Sequence, residues 1–289
     1  DVTLAADPDS IGDGAGEADS LDYHPTLVSP GLASPGGAVS WCPTEPNVVA
    51  VGSQSGGGAG AEQLFLFDAV SGVALRACRL PSGVQSLAWA PAGDRLAVGL
   101  VSGGVVVLDP GSSEVVSAYP LRDGRKASSA RTTRPAPSAS ATSVAVLEYS
   151  PDGGRLAAVV GSKVIVLDTS EKDQTLATAH GAAGSSVAPA VRLRRAAACS
   201  GHGAAVVAID WSEDGALLAT CCKGSEALFF DSRTGEQVAS SAVLSRASWA
   251  AHTRPLGFEV MGVWPADGAA PSDWVCSLHA SPSRDSVVL

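Results

Sequence analysis

An internal repeat sets the narrowest limit on how this chain can fold. VQSLAWAPAGDRLAVGLVSGGVVVLD (Val84–Asp109), VAVLEYSPDGGRLAAVVGSKVIVLD (Val144–Asp168) and VVAIDWSEDGALLATCCKGSEALFFD (Val206–Asp231) align, and a degenerate copy runs from Ala38 to Asp68. An aromatic recurs at one place in each copy: Trp41, Trp89, Tyr149 and Trp211. A unit repeated at this length cannot bury its apolar faces alone, so the copies must stack on one another.

Each copy reads as short strands. The first ends at the aromatic, and a tight PAGD, PDGG or SEDG turn follows, supplying the Asp and Gly that hairpins require. A second apolar strand and a nearly continuous third strand come next, the third ending on an aspartate. A fourth, outer strand is expected after that aspartate, as in GVALRACRL and EVVSAYPL. The terminal aspartates fall at 68, 109, 168 and 231, and the first interval of 41 residues matches the roughly 40–45 of a WD-repeat blade. The expected fold is all-β: a WD-repeat β-propeller with four recognisable blades and an atypical fifth segment. Its blades lie near 38–80, 84–121, 144–199, 202–245 and 249–289. Four blades and a remnant do not complete a seven-bladed ring, so an incomplete propeller is expected, with its closing strands supplied from elsewhere. The chain begins with Asp rather than Met, and it reads as an excerpt of something longer.

Residues 1–37 hold seven acids and no Lys or Arg, and read as an acidic flexible linker or tail. Two insertions interrupt the blades. Residues 122–142, RDGRKASSARTTRPAPSASAT, carry five basic residues against one acid. Residues 170–190 are rich in Ala, Gly and Ser and precede an outer strand, which places them on the opposite face. The formal net charge of -10 argues against a nucleic-acid binder and against a general anionic-membrane binder. No apolar run approaches bilayer length, and no signal peptide is evident. The six cysteines lack CxxC spacing and sit mostly in apolar runs, which points to a reducing compartment rather than a disulfide framework.

After the fourth copy, WAAHTRPLGFEVMGVWPADGAAPSDWVCSLHASPSRD breaks the blade pattern. Its Trp249, Ala250, Thr253, Leu256, Gly257, Phe258, Gly262, Val263, Trp264, Pro265, Cys276 and His279 resemble a WAxxT…LGF…GVWP run in the C-terminal propeller of the echinoderm microtubule-associated protein-like family. The upstream block Cys199–Asp231 fits the same family, and the resemblance covers roughly residues 80–289. It implies two fused atypical propellers, no enzymatic activity, and binding to microtubules or soluble tubulin. The implied setting is the cytoplasm and cytoskeleton, extending to the ciliary axoneme, with other cytoskeletal or axonemal proteins as partners. The acidic start, the two insertions and the lack of a coiled coil depart from the family pattern. The alternative is a generic WD-repeat scaffold, such as a ciliary transport or ubiquitin-ligase adaptor, which does not need the LGF…GVWP run.

The candidate tubulin contact is Arg122, Arg125, Lys126, Arg131 and Arg134, set against the plainer reading of a solvated insertion. Trp89, Tyr149, His202, Trp211, Asp214 and Asp231 are expected to serve structure, with Phe258 and Trp264 filling the core between blades. His202, in the GH pair of CSGHGAAV, is expected to hydrogen-bond within its own blade. Cys221 and Cys222 are strand neighbours facing opposite ways and cannot easily share an ion. Glu213 and Asp214 belong to a turn that needs an acid. No GxSxG, P-loop or HExxH is present. No catalytic residue, metal or cofactor is expected.

Overall fold

β-branched runs such as VVVL and KVIVL cannot leave the extended state cheaply, and Asp-Gly turns fold them back at short intervals. The result is a series of antiparallel sheets. The computed structural model describes residues 36–54, 64–121, 143–169, 192–244, 246–251, 279–280 and 287–288. The first sheet holds β1 (Gly36–Trp41), β2 (Val48–Ser53), β3 (Leu64–Asp68) and β4 (Ala74–Cys78). The second holds β5 (Val84–Trp89), β6 (Leu96–Leu100), β7 (Gly104–Leu108) and β8 (Val115–Pro120). The third holds β9 (Val144–Tyr149), β10 (Arg155–Val160), β11 (Lys163–Asp168) and β12 (Arg194–Cys199). In each of these the strands pair in chain order, and β1, β5 and β9 are innermost.

The fourth sheet departs from the expected four strands. It contains β13 (Val206–Trp211), β14 (Leu217–Cys222) and β15 (Ala227–Asp231), and its outer strand shrinks to one bridge between Phe230 and Gln237. A single helical turn, α1 (Ser241–Leu244), follows. A two-stranded ribbon, β16 (His279–Ala280) with β17 (Val287–Val288), ends the described part. The inner strands pack against one another in succession, and the sheets are not closed into a ring.

Most of the core lies between sheets, with a smaller cluster of Val49, Phe65 and Phe67 on the first sheet itself. Separate apolar clusters join the first sheet to the second, the second to the third and the third to the fourth. Middle strands are therefore covered on both faces, and all five residues of β6 are buried. That is why they read as unbroken apolar runs instead of alternating. Small residues let the sheets approach: a Cβ on Gly52 would collide with Val84, and one on Gly99 would meet Ser86 and lie 2.9 Å from Val144.

The repeated aromatic is the device that registers one sheet on the one before. The Trp89 indole N–H donates to the Ser40 carbonyl of β1 at 3.1 Å, and the Trp211 indole donates to the Glu148 carbonyl of β9 at 3.2 Å. Each acceptor is the residue just before the preceding sheet's own aromatic. Tyr149 fills the same position and is buried, but its hydroxyl is without a partner among the described residues. Trp41 has no described sheet in front of it and is 57% exposed.

Candidate functional site

The strand directions define two rims. The inner strands run from an upper rim, where β5, β9 and β13 begin, to a lower rim, where each ends at its aromatic. The lower rim carries the turns that were legible in the repeats. In the third sheet the Ser150 hydroxyl donates to Asp152 at 2.5 Å, Asp152 accepts the Gly154 N–H at 3.0 Å, and Ser150 Oγ accepts the Arg155 N–H at 2.9 Å. The fourth sheet repeats this set with Ser212, Asp214, Ala216 and Leu217 at 2.6, 3.0 and 2.8 Å. The strand-ending aspartates close the next turn on the same rim: Asp231 accepts the N–H groups of Arg233 and Thr234, and Asp68 those of Val70 and Ser71.

These bonds favour the ionised carboxylate. The Ser150 hydroxyl holds Asp152 below its ordinary range, and the Ser212 hydroxyl does the same for Asp214. Backbone N–H groups lower Asp231 and Asp68. The lower rim is accordingly acidic. Glu45, Asp94, Asp109, Glu114, Asp168 and Glu236 add to it, against arginines that include Arg155, Arg194 and Arg233. Part of this positive charge is already engaged: Arg155 reaches Ser232 at 2.6 Å, and Arg194 pairs with Asp168 at 3.3 Å.

The upper rim has the opposite balance. Its described connections carry Arg79, Lys163 and Lys223 against Glu226. Lys163 and Lys223 are exposed, and Lys223 borders an open groove that Gln54, Gln85, Ser143, Val146 and Gly161 also line. Leu121 and Ser143, which flank the basic insertion, both sit on this rim: Leu121 N–H donates to Gly103 at 3.0 Å, and Ser143 lines the groove. Arg122, Arg125, Lys126, Arg131 and Arg134 themselves lie outside the described residues, as do residues 1–35, the insertion 170–190, Phe258 and Trp264. Residue 169 ends the described chain beyond β11 on the lower rim.

The beginning of the unusual C-terminal run is described. Trp249 is buried against Phe229 with ring centroids 5.7 Å apart, and it bridges to Ser212. The Ala250 N–H donates to the Trp211 carbonyl at 2.8 Å, and the Glu213 N–H donates to Ser248 at 2.8 Å. This segment thus returns to the lower end of the fourth sheet, where an ordinary blade would already have moved on. The family model for the echinoderm microtubule-associated protein second beta-propeller matches residues 37–289.

The chain belongs to the echinoderm microtubule-associated protein-like family. It is 30% identical over 186 residues to echinoderm microtubule-associated protein-like 2 of Rattus norvegicus, covering 64% of this chain and 23% of that protein. It is 29% identical over 186 residues to the 77 kDa echinoderm microtubule-associated protein of Strongylocentrotus purpuratus, covering 64% and 22%. It is 30% identical over 184 residues to the human echinoderm microtubule-associated protein-like 3, covering 63% and 17%. The chain spans less than a quarter of the length of these relatives.

One cluster on the upper rim had no sequence signal. His202, Cys222 and Glu226 bring a ring nitrogen, a thiol and a carboxylate within 4.8 Å of one another. The His202 side chain is 1% exposed, and that of Glu226 is 48% exposed. His202 Nε2 meets Thr220 Oγ1 at 2.6 Å within its own sheet. Burial lowers the His202 pKa against the opposing influence of Glu226. Glu226 accepts from the Gly203 N–H at 2.9 Å and from the Cys222 thiol at 3.4 Å, and it lies 3.7 Å from His202 Nδ1. The turn between β14 and β15 folds Glu226 back beside Cys222, a closeness that spacing in CCKGSE does not advertise. Cys221 points away and is fully buried, as alternation along a strand dictates.

Proposed function

We propose that this chain is a non-enzymatic scaffold of the cytoskeleton that associates with microtubules through its upper rim. The observation that carries the reading is the segregation of charge between the rims. A chain of net charge -10 is repelled by the acidic surface of tubulin unless its positive charge is gathered in one place. The upper rim gathers Arg79, Lys163 and Lys223, and its Leu121 and Ser143 flank the segment bearing Arg122, Arg125, Lys126, Arg131 and Arg134. The relatives' names, which describe microtubule-associated proteins, agree with this partner. The lower rim uses its acids in turns, so it offers tubulin a repulsive face.

Co-sedimentation of the chain with microtubules over a range of salt tests the reading. Deleting 122–142, or making the pair Lys163→Glu and Lys223→Glu, is expected to weaken binding and flatten its salt dependence, because exposed charges act within a Debye length of about 8–10 Å. Equal binding by both variants and the parent would overturn it. The absence of an enzymatic role is part of the same proposal. Among residues whose side chains are described, the one imidazole is His202, and it is enclosed by Thr220, Cys222 and Glu226 rather than presented to a substrate cleft. An axonemal location is a finer reading that rests on the resemblance alone. Tagged protein absent from cilia while present on cytoplasmic microtubules would remove it.

A further inference from the structure

We infer that His202, Cys222 and Glu226 form a binding site for a zinc-class divalent cation on the upper rim. One hydroxyl proton decides the tautomer of His202. Thr220 Oγ1 donates to the Leu228 carbonyl at 3.1 Å, and it also meets His202 Nε2 at 2.6 Å. We assign that proton to the Leu228 carbonyl, so Nε2–H donates to the Thr220 hydroxyl. In the neutral imidazole Nδ1 is then a bare lone pair. That atom is buried, has no hydrogen-bond partner among the described residues, and lies 3.7 Å from the Glu226 carboxylate. The bare Nδ1 and the half-exposed Glu226 carboxylate repel as two facing acceptors, and a buried acceptor without a partner is destabilising. A cation between them removes both penalties.

The donor set suits zinc. A thiolate, an imidazole and a carboxylate are its usual ligands, with bonds of about 2.0–2.3 Å, so a tetrahedral arrangement places neighbouring donors about 3.4–3.6 Å apart. Cys222 Sγ to Glu226 is 3.4 Å, His202 Nδ1 to Glu226 is 3.7 Å, and all three donors fall within 4.8 Å. Harder cations that take only oxygen ligands would gain little from the sulfur. The hydrogen bond from Nε2–H to Thr220 is the outer support that fixes a ligating histidine's tautomer. On binding, the Cys222 proton that now points at Glu226 leaves to solvent. Thiolate and carboxylate together then balance the two positive charges. Glu226 is half exposed, which leaves an entry path and a fourth position for water.

Such an ion would tie the connection after β12, through His202, to the turn between β14 and β15, through Cys222 and Glu226. That turn also carries Lys223, so the ion would stiffen the rim assigned to the microtubule. The site stands on its own geometry, and its test uses no microtubules.

The test is titration of the metal-stripped full chain with Co²⁺, read by thiolate-to-cobalt charge-transfer absorption in the near ultraviolet, followed by displacement with Zn²⁺. The parent and Cys221→Ser are expected to give the band and a zinc-dependent rise in thermal midpoint. Cys222→Ser is expected to lose the band, and Glu226→Gln to weaken binding by more than about 100-fold. Thr220→Val, which removes a supporting partner, is expected to weaken it by about 10–100-fold. Circular dichroism of each metal-free variant separates loss of the site from loss of the fold, with Cys222→Ala replacing Cys222→Ser if the latter does not fold. No thiolate band in the parent at saturating cobalt, or a band that survives in folded Cys222 variants, would refute the site.

Discussion

Replacing Tyr149 with Phe should stabilise the protein, against the usual sign for a buried tyrosine. The repeated aromatic exists to lay a ring donor on the preceding sheet, and Trp89 and Trp211 do so at 3.1 and 3.2 Å. Tyr149 stands at the same position, is 7% exposed, and its hydroxyl is buried without a partner among the described residues. Burial pushes its pKa well above the ordinary value, as expected for a phenol cut off from water. An unsatisfied buried polar group costs about 1–3 kcal/mol, and Tyr149→Phe removes that cost while keeping the ring and its apolar contacts. The expected gain is about 1 kcal/mol. Trp211→Phe at the equivalent site should do the reverse. It deletes a hydrogen bond worth about 1 kcal/mol and opens a void beside a side chain with no exposed surface. Denaturant unfolding followed by far-ultraviolet circular dichroism gives both numbers, provided the slope is unchanged so that midpoints compare directly. A loss of 1 kcal/mol or more in Tyr149→Phe would mean that the hydroxyl has a partner and that the registering role is shared by all the aromatics.

Two further outcomes follow from packing and from charge. Gly99→Ala should cost about 1–3 kcal/mol, because the added methyl meets Ser86 on the paired strand and Val144 across the sheet interface, and disturbs the 2.7 Å bond from Ser86 to the Val144 carbonyl. A thermal midpoint equal to the parent's would show that the interface has slack there. Acid should destabilise the fold through its turn aspartates. Asp152, Asp214 and Asp231 have folded pKa values below their ordinary ones, so their contribution is complete above the unfolded value of about 3.9 and is lost as pH falls through the depressed folded values. Stability from this source should stay level between pH 7 and 5 and fall below about pH 4, with a shallower fall in the double variant Asp152→Asn and Asp214→Asn. An equally steep acid limb in that variant would assign the loss to other groups.

Most of the blade was legible in the chain because its causes are local. The Asp-Gly turns, the apolar strands and the aspartate that closes each third strand depend on residues within a few positions, and the bonds of Ser150, Asp152 and their Ser212, Asp214 counterparts follow from that spacing. The WA…GVWP run was readable as a family mark for a different reason: it breaks a period that the preceding copies establish. The fourth sheet was less readable. SSAVL lacks the alternation of an outer strand, yet only the fold shows that the chain makes one bridge at Gln237, turns once through α1, and brings Trp249 back onto Phe229.

Local chemistry along the chain therefore dictates the repeating unit: its strands, its turns, and an apolar pattern that forces the units to stack. How the units meet depends on the assembled fold. Trp89 and Trp211 find carbonyls in the preceding sheet, Tyr149 finds none, and Trp41 has no described sheet to reach. The gathering of acids on one rim, and the approach of His202 to Cys222 and Glu226 on the other, likewise depend on which end of each strand a turn occupies. Local propensity acts over a few residues, whereas these arrangements join residues twenty to more than sixty positions apart, which become neighbours only once the sheets have stacked.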